Sequence, residues 1–178
     1  MPGFLRRYVE VVEAVNYRVG RFAMYLIFVM MGILIWSSVS KTFFLPTLWT
    51  LEMAQFMMVA YYLLGGPYSL QLGSNVRMDL FYGSWSPRTK AWVDSITVLA
   101  LLFYLAILLY GGLSSTTYAL EYGERSNSAW RPYMAPIKIV MCVAVFLMLL
   151  QGIAVLLRDI AKLKGIAIPN PAEKRGQI

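Results

Sequence analysis

The chain contains no histidine and a single cysteine, Cys142. Without imidazole there is no bis-histidine haem anchor, no histidine-ligated metal and no histidine proton relay. One thiol closes no disulfide within the chain and builds no cysteine metal cluster. Flanked by Met141 and Val143 in an apolar stretch, Cys142 reads as a small buried hydrophobe. A Gly-x-x-x-x-Gly-Lys-Ser/Thr loop is also missing, which argues against nucleotide hydrolysis. Metals and organic cofactors are therefore not expected. Charge is scarce too: 14% of residues are charged and 59% hydrophobic, with a mean hydropathy of +0.60, far from a soluble average.

What is present in quantity is uncharged sequence. Phe22–Ser40, Met53–Val76, Ser95–Leu120 and Ile139–Leu157 run for 19, 24, 26 and 19 residues without a charge. A helix rises about 1.5 Å per residue, so about 20 apolar residues cross a bilayer core of about 30 Å. The expectation is an all-α integral membrane protein, a single membrane domain over residues 1–178. Its four transmembrane helices are placed at 22–40, 47–72, 93–117 and 136–160. No small-residue cleavage site stands out near the first apolar segment, so it reads as a retained helix.

The net charge of +7 follows a positive-inside pattern better than a nucleic-acid footprint. Arg6, Arg7, Arg18 and Arg21 precede the first span. Arg77, Arg88 and Lys90 lie in the second loop, and Arg158, Lys162, Lys164, Lys174 and Arg175 in the tail. The opposite side holds Lys41, Arg125, Arg131 and Lys138. This asymmetry places both termini in the cytoplasm, with an even number of spans. Trp36, Trp49, Trp85, Trp92 and Trp130 lie towards or beyond span ends, as aromatic anchors do.

Local signals refine this layout. Phe4, Leu5, Tyr8, Val11, Val12, Val15, Val19 and Phe22 recur at helical spacing, with Arg6, Arg7, Glu10, Glu13 and Arg18 mostly on the other side. This predicts an interfacial amphipathic helix over 4–21, apolar face in lipid, or a docking arm for a partner. Pro46, Pro87 and Pro136 suit first helical turns, with Ser86 a cap for the third helix. Gly65-Gly66-Pro67 predicts a kink late in the second. Gly111 with Ser115, and Gly112 with Thr116, allow close helix contact. Gln151 lies at mid-depth in the fourth span, and residues 166–178 read as a loose cytoplasmic tail.

Few residues could carry chemistry. Glu52 sits about two turns from the outer end of the second span; it can reach headgroups, pair with a cation, suit the positive helix end or serve as a coupling carboxylate. Lys138 occupies the first turn of the fourth helix, where the dipole disfavours a cation; it either snorkels or has a carboxylate or lipid-phosphate partner. Arg77 and Asp79, two apart in the second loop, face the same way if that segment is extended.

The stretch Leu51-Glu52-Met53 through Gly73-Ser74-Asn75-Val76-Arg77-Met78-Asp79 resembles the small membrane subunit (Q subunit) of tripartite ATP-independent periplasmic (TRAP) transporters. Gly73, Val76, Arg77 and Asp79 match the family's Gly-x-His-Val-Arg-Val-Asp-like signature; Asn75 replaces its histidine and Met78 its second valine. Gly123-Glu124-Arg125-Ser126, Trp130-x-Pro132, Pro136-x-Lys138 and Gln151-Gly152 extend the resemblance across residues 20–165. It implies a non-catalytic scaffold that braces a large multi-spanning subunit of a sodium-coupled importer, in a heterodimer. A periplasmic binding protein would deliver the solute, of organic-acid type. Glu52, Arg77, Asp79, Arg125 and Lys138 are then candidates for subunit contact or fold stabilisation, with membrane lipids around them and no nucleic acid. Two rivals remain: a homodimeric small multidrug-type exporter working through Glu52, and a haem-free membrane anchor of a redox complex.

Overall fold

A computed structural model describes residues 3–72 and 87–163. Arg77 and Asp79, the whole 73–79 signature, Trp85, Ser86 and the tail at 166–178 lie outside the described residues. The described residues form four helices: α1 (Gly3–Phe43), α2 (Trp49–Leu72), α3 (Pro87–Glu121) and α4 (Ala135–Leu163). Three of them, over Arg6–Phe43, Ile96–Glu121 and Ala135–Arg158, are long and apolar enough to cross a membrane. The second, with Glu52, Gln55, Gln71 and the Gly65-Gly66-Pro67 triplet, is not among the three.

The helices pack as α1 on α2, α2 on α4 and α4 on α3, with α1 also touching α4. The α1–α2 connection is short, and its polar side chains join the two helices. Thr50 donates to Ser37 at 3.0 Å and also pairs with Thr47, while Ser40 reaches the Leu45 carbonyl at 3.5 Å. Pro46 lies within this connection, and α2 begins three residues later than a proline-initiated first turn would give. The other proline signals hold: α3 begins at Pro87, and Pro136 is the second residue of α4. Pro67 is buried inside α2, which continues to Leu72.

The predicted interfacial helix and first span are one uninterrupted helix of 41 residues. Such a helix is about 60 Å long, twice a bilayer core, so a large part of it extends beyond the hydrocarbon. The N-terminal part packs on α4: Val9 and Val12 cluster with Ala154, against Tyr8, Leu150 and Leu157. Tyr8 donates to the Leu150 carbonyl at 3.2 Å. Val11, Val15 and Phe22 remain exposed on another side. The apolar pattern of residues 4–22 thus serves two surfaces, one against α4 and one outward.

Close approach is built with small residues. A Cβ added at Gly20 would stand 2.4 Å from Cβ of Tyr68, so α1 and α2 meet there only because Gly20 has none. Of the two overlapping small-residue pairs in α3, Gly112 and Thr116 face α4: Thr116 Oγ1 lies 3.2 Å from Cys142 Sγ. The Gly111 position opens onto free space, and Ser115 is exposed.

Candidate functional site

The inward polar groups collect at the two ends of the helix array. At the end where α1 starts and α4 finishes, Glu13 and Arg158 form a buried ion pair, 1% and 8% exposed. One turn along, Asn16 Nδ2 donates to Gln151 Oε1 at 2.7 Å, with both residues fully enclosed. Glu13 and Asn16 are three apart and Gln151 and Arg158 seven apart, so each pair of positions shares a helical face. The helical pattern placed Glu13 among outward polar residues; the structure turns it inward onto an arginine. Burial of one charge is tolerable because the other compensates it. Gln151, singled out in the fourth apolar stretch, thus has its partner in the N-terminal part of α1.

At the opposite end, α3 stops in a Schellman-type cap. Gly123 has φ of 59°, and the Glu124 N–H reaches the Ala119 carbonyl at 3.1 Å. The following loop folds back on itself, with Ser126 N–H to Pro132 O and Met134 N–H to Glu124 O, each 3.0 Å. Arg131 takes a left-handed φ of 50° in its turn, and its N–H donates to Ser128 Oγ. Across this closed loop Arg125 hydrogen-bonds the Tyr133 hydroxyl, its guanidinium 4.2 Å from that ring's centroid. Lys138 pairs with Glu124 and lies 3.5 Å from the Ser115 carbonyl. The cation in the first turn of α4 therefore has a carboxylate beside it.

Arg125 and Lys138 are thus brought onto one loop, through the adjacent residues Arg125 and Glu124. Glu52 lies in the first turn of α2, half-buried, and its Oε2 is enclosed without a hydrogen-bond partner among the described residues. Its neighbour Met53 lines an apolar groove of about 430 Å³ that Trp130, Pro132 and Tyr133 wall on the other side. Among the described residues, no group of three or more His, Cys, Asp or Glu could hold a metal ion.

Sequence reasoning missed Glu13, Asn16 and Arg158. The available signal was their spacing: polar residues three and seven apart, near opposite chain ends, in helices that had to return to the same side. Gln151 was singled out without its partner.

Paired polar groups joining long apolar helices are the features of a helical membrane component. Over residues 30–162 the sequence matches the family "Tripartite ATP-independent periplasmic transporters, DctQ component", and the chain belongs to that family. This is a transporter component family, not an enzyme family, whose members work with a larger membrane subunit and a periplasmic binding protein. No curated protein matches the sequence.

Proposed function

We propose that this chain is the non-catalytic scaffold of a sodium-coupled importer of an organic-acid-type solute, bracing the large transport subunit in a heterodimer. Both termini lie in the cytoplasm, and α2 crosses the inner membrane as a fourth span beside α1. The observation that carries the reading is the division of roles among side chains. The strongest inward polar contacts join one helix to another or close a loop, while the outer faces of α1 and α3 are broad and apolar. Only 11% and 6% of the apolar windows of α1 and α3 are buried within the chain. Phe22, Tyr25, Phe28 and Ile35 on α1, with Phe103, Ile107 and Tyr110 on α3, stand exposed. Such surfaces suit lipid and a large helical partner. A transport pathway would instead need ionisable groups facing a shared cavity.

The test is reconstitution of the large subunit with and without this chain in proteoliposomes, with the binding protein and an imposed sodium gradient. Uptake should require both membrane chains and the gradient. Uptake by the large subunit alone at the full rate, or transport by this chain alone, would overturn the scaffold assignment.

A further inference from the structure

We propose that the exposed face of the α3–α4 loop, built on Arg125, Arg131 and Tyr133, docks an acidic patch of the periplasmic binding protein. This rests on the proposed cytoplasmic position of both termini, which sets the loop on the periplasmic side. The backbone of the loop is already fixed. Ser126 and Met134 donate their N–H groups to the Pro132 and Glu124 carbonyls, and Arg125 and Tyr133 face each other in an antiparallel bridge. A surface held in this way loses little conformational freedom when a partner binds, and that loss is a large cost of association.

The side chains it displays are those of an interface. Tyr122, Trp130 and Tyr133 stand exposed, with Arg125 and Arg131 exposed beside them. Tyrosine, tryptophan and arginine are the types enriched where binding energy concentrates. The Tyr133 ring holds the Arg125 guanidinium at 4.2 Å and leaves N–H groups free for a carboxylate. Charge then selects the partner. Lys138 is neutralised by Glu124, whereas among the described residues no carboxylate pairs with Arg125 or Arg131. Glu121, the last residue of α3, offsets one of the two charges at most. The other connection at this end differs in kind. Between α1 and α2, Phe43, Phe44, Leu45 and Leu48 are exposed in a stretch without charge, a surface for lipid or a membrane helix. The α3–α4 loop sets Ser126, Asn127 and Ser128 among its aromatics and arginines, which suits a partner that arrives from water.

The test uses the small and large components together in nanodiscs, with purified binding protein titrated against them at low and at physiological salt. Arg125→Gln and Arg131→Gln should each weaken binding about fivefold, the loss of a hot-spot residue, and flatten its salt dependence. Lys41→Gln, a cation at the same end but beside the apolar connection, should leave both unchanged. In reconstituted uptake the arginine variants should need more binding protein to reach an unchanged maximal rate, which a folding defect would lower. In a Cys142→Ala background, Asn127→Cys should react with a membrane-impermeant maleimide added outside spheroplasts, and the binding protein should slow that reaction. Labelling from the cytoplasmic side alone would overturn the sidedness, and the docking with it. Labelling from outside that the binding protein does not slow, with affinity unchanged in both arginine variants, would overturn the docking alone and leave the loop as a headgroup anchor.

Discussion

The carboxylate of Glu13 in α1 meets the guanidinium of Arg158 in α4, and both are almost wholly enclosed. The contact joins the beginning of the described chain to its end and sits one turn from the Asn16–Gln151 bond. Removing one partner takes the opposite charge away from a buried ionised group. Glu13→Gln and Arg158→Met should each destabilise the protein by about 3–5 kcal/mol, read as thermal unfolding in mild detergent. The double replacement Glu13→Leu with Arg158→Met should recover much of that loss, because it strands no charge. Equal losses in single and double variants would mean that the two residues act independently.

The neighbouring amide pair should behave the same way on a smaller scale. Asn16→Leu leaves the Gln151 amide enclosed with its bond to Asn16 removed, at a cost of about 1–2 kcal/mol. Asn16→Leu with Gln151→Leu removes both polar groups and should cost less than Asn16→Leu alone. A double variant worse than either single one would show that the amides bind something else in the enclosed space.

Gly20 and Gly65 form a matched comparison. Gly20→Ala sets a methyl group against Cβ of Tyr68, an atom fixed to the α2 backbone, so the helices must separate. The expected loss is about 1–3 kcal/mol, typical of overpacking. Tyr68→Ala should not rescue it, since the clashing atom remains. Gly65→Ala meets open space and should gain up to about 1 kcal/mol from helix propensity. Unfolding of the three variants in one detergent settles the comparison.

Much of this architecture can be read in the chain. Uncharged runs marked the apolar helices, prolines marked the starts of α3 and α4, and the paired small residues of α3 pointed to a close contact that Gly112 and Thr116 make. The continuity of α1 was less legible. Charges at Arg18 and Arg21 suggested a boundary, but a change of environment along a helix is not a break in its hydrogen bonding. Glu13 was misplaced for a related reason. Helical periodicity reports which residues share a face, and only the partner's identity says whether a charge on that face can be buried. The candidate residues Arg125 and Lys138 were visible through family-like motifs, whereas their partners Tyr133 and Glu124 depend on a loop geometry that no periodic pattern encodes.

Lys138 and Glu124 allow a test by exchange. Their side chains are 17% and 35% exposed, so the pair is worth less than the buried one, about 0.2–1 kcal/mol. Glu124→Gln leaves a lysine in the first turn of α4, against the dipole, and should lose up to that amount. Lys138→Glu with Glu124→Lys restores the pair and puts the acid at the helix N-terminus. The exchanged protein should therefore be at least as stable as the original. A lower melting temperature than either single variant would mean that Lys138 is held by the Ser115 carbonyl or by a partner rather than by its charge pair.

Glu52 separates the scaffold from its rival most directly. It lies in the first turn of α2, where the helix dipole stabilises a negative charge, and its neighbour Met53 lines an apolar groove. In a scaffold its charge does not cycle through protonation during transport. Glu52→Gln keeps the volume and most hydrogen-bonding capacity, so sodium-driven uptake by the reconstituted complex should stay within about twofold of wild type, as for other substitutions worth about 0.5 kcal/mol. A proton-coupled exporter would need that carboxylate to titrate, and the same variant would lose transport altogether. Uptake retained in Glu52→Gln but lost in Glu52→Ala would assign the residue to packing and subunit contact, because only its shape and its hydrogen bonding would then be required.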